Sequence, residues 1–162
     1  MKTFISLAIG ASILIISLGF SQKKDDQLNQ KQVEQIKIEV TAVIDSIYAI
    51  FERKDPNSAL KYYSSDFVAY ATNGQKFDLN SVMDQYTKLY ETLSTYKWTT
   101  FNLDFLVVTK NKVVVSLDGR NESVFNSGQK LIYDPSHYTL TCKKVDGSWK
   151  FCYQHFSGKM VK

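Results

Sequence analysis

Histidine, cysteine and proline occur only twice each in the 162-residue sequence, and each scarcity excludes something. His137 and His155 lack the HxH or HxxxH spacing that brings two imidazoles onto one ion, and neither has an obvious carboxylate partner in sequence, so no metal is expected. No cysteine stands near the end of the N-terminal apolar run, which argues against a lipid-anchored lipoprotein. Charge of neither sign prevails: 20 Lys and Arg face 16 Asp and Glu, a net +4, with the lysines scattered rather than gathered in a basic stripe. Nucleic acid is therefore not an expected partner. Internal repeats, low-complexity blocks and cofactor-binding motifs are also missing, and no cofactor is expected.

One long apolar run is present, at the start. Lys2 supplies a positive charge, Thr3 to Phe20 carries none, and Gly19 and Ser21 place small residues before a cut at Gln22. Residues 1–21 read as a signal peptide, which implies a periplasmic or secreted protein with no membrane attachment after cleavage. The competing reading is an uncleaved anchor helix, since the run approaches spanning length. Beyond it come a polar segment at 22–32, one domain at 33–158 and a short tail at 159–162.

Apolar residues recur at helical spacing from Val33 through Ile36, Val40, Ile44, Ile47 and Phe51, which predicts one long amphipathic helix ending near Lys54. Asp55-Pro56 caps a short second helix to about Tyr63. Asp66 to Thr72 reads as a strand, Asn73-Gly74 as a turn, and Gln75 to Phe77 as a brief return strand. Asp78 or Asn80 caps a third helix to about Thr95. After it the chain has strand chemistry throughout: Lys97–Thr109, Val113–Phe125, Gln129–Lys144 and Ser148–Ser157, with bulges expected in strands this long and Pro135 the foremost interruption. Helices first and a meander of long strands afterwards give an α+β fold.

The last two strands flank Asp146-Gly147, the strongest short hairpin signal a sequence offers. A two-residue turn pairs Lys144 with Trp149, Cys142 with Phe151 and Leu140 with Tyr153. Strict alternation then places Trp149, Phe151, Tyr153 and His155 on one face, and Lys150, Cys152 and Gln154 on the other. In that register Cys142 lies opposite Phe151, which predicts two free thiols; a three-residue loop would instead set the cysteines face to face.

Several phrases in this order resemble the NTF2-like superfamily, in particular its small SnoaL-like or DUF4440-type members. They are the long first helix, the stretch Ala59 to Asp66 before the first strand, Asn73-Gly74, and the closing Asp146 to Phe151 followed by His155-Phe156-Ser157. The resemblance implies a cone, in which a curved, mostly antiparallel sheet wraps around three N-terminal helices. It also implies a pocket at the open end and homodimers formed through the sheet. Ketosteroid isomerases of this superfamily use a carboxylate base and an oxyanion hole. If Asp66 matches the acid opening their first strand, their base falls at Ala71, which cannot take a proton. Asp66 itself reads as a strand-opening turn residue.

Three functional readings follow. The first is an exported protein that binds a small, partly apolar, oxygen-bearing ligand without catalysis, with Tyr48, Tyr70, Trp98, Tyr138 and His155 as pocket candidates. The second is an enzyme performing proton transfer, dehydration or hydrolysis with Asp118 and His155, Arg120 serving as an anion anchor. It requires the polar face of the strand at Val113–Phe125 (Ser116, Asp118, Arg120, Glu122) to line the pocket; if Val113, Val115, Leu117 and Gly119 face inward, those residues form a solvated outer face instead. The third is an interaction module using the outer sheet face through Thr139, Thr141, Lys143, Lys150 and Gln154.

Overall fold

The structure, a computed structural model, describes residues 27–161. The signal-peptide reading and the first residues of the polar segment lie outside the described residues. Helix α1 (Gln30–Glu52) starts inside what reads as a polar lead-in, because Asn29 and Gln32 form a reciprocal capping box. Ile36, Val40, Ile44, Ile47, Ile50 and Phe51 make its buried stripe, the spacing read from the sequence. Asp55 caps the one-turn helix α2 (Pro56–Ala59), and a single 3-10 turn (Leu60–Tyr62) ends the segment. Helix α3 (Leu79–Thr92) is capped by Asp78 and buries Val82, Met83 and Tyr90.

The strands are β1 (Tyr63–Tyr70), β2 (Lys76–Asp78), β3 (Leu93–Val108), β4 (Lys112–Phe125), β5 (Lys130–Val145) and β6 (Ser148–Val161). They form one six-stranded mixed sheet in the order β2-β1-β6-β5-β4-β3, with β1 parallel to β6 and every other pairing antiparallel. The sheet curves around the helices, as a cone requires. β6 runs to Val161, so residues 159–161 belong to the sheet rather than to a tail. Asp66 is likewise a mid-strand residue of β1, exposed and bonded to Lys143 Nζ at 2.7 Å, rather than a turn residue. Among the described residues no helix is long and apolar enough to cross a membrane.

The closing hairpin follows the expected register for only half its length. Asp146 and Gly147 both have positive φ (49° and 79°), the geometry of the tight turn that Asp-Gly favours. Lys144 pairs with Trp149 and Cys142 with Phe151, but a bulge then intervenes, and Thr141 pairs with Tyr153, Leu140 with Gln154 and Thr139 with His155. One extra residue on one strand exchanges the faces of everything beyond it. Gln154 therefore turns inward and is buried, while Tyr153 and His155 turn outward; both reverse the expectation from strict alternation. A second irregularity falls where Pro135 interrupts β5, between Tyr133 and Ser136, and the Asp134-Pro135 bond is cis. Cys142 and Cys152 are free, Cys142 fully buried.

Candidate functional site

The helices do not fill the cone. A cavity of about 290 Å³ remains between α1, α3 and the inner sheet face, lined by 22 residues. Helical spacing brings Ile47, Tyr48 and Phe51 to it from α1, and Val82, Gln85, Tyr86, Leu89 and Tyr90 from α3. The two-residue period of β4 decides the sheet side. Val113, Val115 and Leu117 are fully buried, and the same alternation carries Asn121 and Ser123 inward, where both line the cavity. Asp118, Arg120 and Glu122 accordingly point outward.

No lining residue carries a carboxylate, imidazole, ammonium, guanidinium or thiol; the ionisable groups are eight tyrosines. Burial pushes the phenols of Tyr48, Tyr63, Tyr86, Tyr90, Tyr96 and Tyr138 upward from their ordinary value, so they stay neutral. The polar complement is completed by amides and one hydroxyl. Gln154 Nε2 donates to Tyr86 Oη at 3.5 Å, and Asn121 Nδ2 to Ser136 Oγ at 3.2 Å. Glu52, at the end of α1, lies outside the lining and accepts the Trp98 backbone N–H at 3.1 Å.

Of the pocket candidates, Tyr48, Tyr70 and Tyr138 border the cavity, whereas Trp98 and His155 do not. Trp98 forms the layer behind: its ring stacks on Tyr48 with centroids 4.8 Å apart and meets Tyr138 edge-on at 5.4 Å. Tyr70 borders the cavity along β1 between Ala69 and Ala71, but it pairs with His155, and its ring lies 5.9 Å from that of Tyr153 on the outer face. His155 is turned out by the bulge. Ala71, where a steroid-isomerase base would fall, does line the cavity and brings no acid.

Asp118 and His155 are not brought together. Asp118 is bonded instead to His137, Oδ1 to Nδ1 at 2.7 Å, on the outer face, so His137 does have a carboxylate partner, supplied by the neighbouring strand. Arg120 pairs there with Glu122 and Asp134 rather than anchoring an anion in the cavity. Among the described residues no group of three or more His, Cys, Asp or Glu could hold a metal ion. Gln154, assigned to the outer face by alternation, belongs to the cavity wall. Among the polar and aromatic cavity residues not singled out from the sequence are Asn121, Ser123, Tyr86, Tyr96 and Gln154. Asn121 and Ser123 were open to discovery by continuing the Val113-Val115-Leu117-Gly119 period to the end of the strand.

Fold and cavity together define a cone-shaped α+β pocket protein with a charge-free interior. A family model for the SnoaL-like domain matches residues 40–161, and the chain belongs to that family, within the NTF2-like superfamily. A search of curated proteins finds no match. Among solved structures, a proposed scytalone dehydratase from Novosphingobium aromaticivorans is similar with a TM-score of 0.74 at 11% identity, over 81% of this chain and 90% of that one. An NTF2-like superfamily protein from Salmonella enterica gives 0.69 at 18% identity, over 80% and 94% of the two chains. A type-3 hexachlorocyclohexane dehydrochlorinase from Novosphingobium barchaimii gives 0.68 at 12%, over 79% and 90%. At these identities the likeness concerns the fold alone.

Proposed function

We propose that this protein binds one small, uncharged, partly apolar molecule bearing oxygen in the cone cavity and performs no chemistry on it. The observation that carries this reading is the wall itself: 22 lining residues without an acid or base that titrates near neutral pH. Burying an unpaired charge in such a place costs several kcal/mol or more, which disfavours ionic ligands. The elimination reactions named for two of the structural neighbours need a group that takes a proton, and a neutral phenol is a poor base. Aromatic rings and phenol, amide and hydroxyl groups suit an oxygenated molecule with an apolar body.

Ligand-observed NMR on a mixed library tests the reading. Uncharged oxygenated compounds should bind, carboxylates and amines of equal size should not, and Ala71→Trp at the cavity wall should abolish the hits. Bound compounds should be recovered unchanged after prolonged incubation; a product, or a library of hits dominated by ions, would overturn the reading.

For the setting we propose export directed by residues 1–21 and a homodimer formed through the outer sheet face. The charge-free run Thr3 to Phe20 supports the first, and the partly buried Tyr70, Tyr153 and His155 on the outer face support the second. A mature chain starting elsewhere than Gln22, or a monomeric mass by light scattering, would count against these two proposals.

A further inference from the structure

At the end of the sheet that carries the β3–β4 and β5–β6 turns, three lysines stand side by side. Val113, Cys142, Trp149 and Phe151 are buried, so alternation turns Lys112, Lys143 and Lys150 to the outer face. Lys112 is the direct cross-strand partner of Lys143, and Lys143 of Lys150. Neighbouring strands lie about 4.8 Å apart, so the row spans roughly 10 Å. Like charges set opposite one another are destabilising. Among the described residues one acid relieves them, Asp66, which accepts from Lys143 Nζ at 2.7 Å; Lys112 and Lys150 have no carboxylate partner. Such a row is suited to an anion that the protein itself does not supply.

Apolar side chains border the row. Val114 lies between the buried Val113 and Val115, so it and its partner Val107 make the next row of the same face. Val107 is 45% exposed, and Leu106, in the bulge beside it, 60%. Both belong to β3, the edge strand of the sheet. Helix α1 begins at this end as well: Glu39 accepts the Trp149 indole N–H at 2.9 Å, and Gln30 lies roughly two and a half turns earlier. Residues 1–26, with the charge-free run Thr3 to Phe20, precede α1 in the sequence and so enter the fold here. The cavity residues Leu131 and Tyr133 stand at the opposite end of β5 from Lys143.

We propose that this end of the protein docks on a membrane surface, with Lys112, Lys143 and Lys150 against anionic phospholipid headgroups and Leu106 and Val107 dipping in beside them. Each lysine near such a surface strengthens attachment about fivefold, and exposed apolar side chains add area that leaves water. A lipid surface suits the row better than a small anion does. The lysines form a line at the end of the molecule rather than a cup, and a small anion offers the apolar pair nothing. Attachment of this kind needs no spanning helix, and the described residues contain none long and apolar enough to be one. A chain led to a membrane by residues 1–21 arrives with this end toward it and with Leu131 and Tyr133 turned away. The row lies beyond Tyr153 toward the strand ends, at the rim of the face proposed above for the dimer.

The test is flotation of the full chain with vesicles of phosphatidylcholine alone and of phosphatidylcholine mixed with phosphatidylglycerol. The mixed, anionic vesicles should bind the protein about tenfold better or more at low salt, and raised salt should erase the preference. Insertion of the apolar run Thr3 to Phe20 would not tell the two vesicles apart, so the preference reads the lysines. Lys112→Gln and Lys150→Gln should each lower binding to the anionic vesicles about fivefold. Lys88→Gln removes the same charge from α3, at a lysine paired with Asp84, and should leave binding unchanged. Leu106→Ser/Val107→Ser should weaken binding while keeping the preference for anionic vesicles. Equal binding to both vesicles, equal losses in all three lysine variants, or an apolar variant that binds as the wild type does would overturn the proposal. So would retention on heparin without flotation, which would assign the row to an anionic polymer. The cavity reading is tested separately, since none of these residues lines the cavity.

Discussion

Trp98 and Gly119 face each other across β3 and β4 so closely that no other residue fits at position 119. A Cβ built on Gly119 would fall inside the van der Waals envelope of Trp98 Cζ2 and lie 2.5 Å from Thr99 O. Glycine inside a strand marks such a close approach. Here it lets the indole lie flat across β4, where it can reach both Tyr48 and Tyr138.

The substitution Gly119→Ala should therefore act at a distance. Overpacking of this kind costs about 1–3 kcal/mol, and the displaced indole should take Tyr48 and Tyr138 with it. A urea melt should show the loss of stability, and the affinity of an uncharged oxygenated ligand should fall even though Gly119 does not line the cavity. Unchanged affinity in a folded variant would mean that Trp98 does not position the phenols.

How much of this was legible in the sequence depends on which pattern was read. The period of α1 and the Asp-Gly turn report strong local preferences, and both elements formed as expected. The bulge in β6 left no such mark. Beyond Phe151, one choice of inward residues is Tyr153 and His155 and the other is Gln154 and Phe156. Each offers one aromatic and one polar side chain, so hydrophobic alternation cannot choose between them. That single ambiguity exchanged His155 for Gln154 in the cavity. Asp118 was a different case, since the apolar residues alternating with it in β4 pointed correctly to the interior and so set Asp118 on the outer face.

Tyr63 provides a test of stability rather than affinity. The residue is 3% exposed, and its hydroxyl is the one fully enclosed side-chain polar atom without a hydrogen-bond partner among the described residues. A buried polar group left unpaired costs about 1–3 kcal/mol. Tyr63→Phe keeps the edge-on ring contacts with Phe67 and Phe151. The variant should raise the urea midpoint, by an amount equivalent to about 1 kcal/mol; a lowered midpoint would show that the hydroxyl has a partner in solution.

Acid should loosen the contact between α1 and the closing hairpin. The Trp149 indole N–H, donated to Glu39 Oε2 at 2.9 Å, holds the Glu39 carboxyl below the usual glutamate range, helped by Gln35 and Lys144 and opposed by burial. A carboxyl with a lowered folded-state pKa contributes stability above its unfolded value, ~4.3, and loses it as pH falls through the folded value. The Trp149 indole proton resonance should stay constant from neutral pH to about 5 and shift only below the ordinary glutamate range. In Glu39→Gln that titration should vanish; its persistence would assign it to another acid.

The outer-face pair supplies the contrast that separates binding in the cavity from chemistry on the sheet. His137 and Asp118 meet at 2.7 Å with side chains 49% and 37% exposed, a setting in which an ion pair contributes about 0–1 kcal/mol. Neither residue lines the cavity, nor does His155, which the β6 bulge turns away from it. Asp118→Asn and His155→Gln should therefore leave the affinity of an uncharged oxygenated ligand within about twofold of wild type and shift stability by less than about 1 kcal/mol. The measurement is a titration calorimetry series on the two variants beside the cavity-blocking Ala71→Trp. A loss of affinity in the outer-face variants as large as in Ala71→Trp would place ligand recognition on the sheet surface, where Asp118 and His155 again become candidates for chemistry.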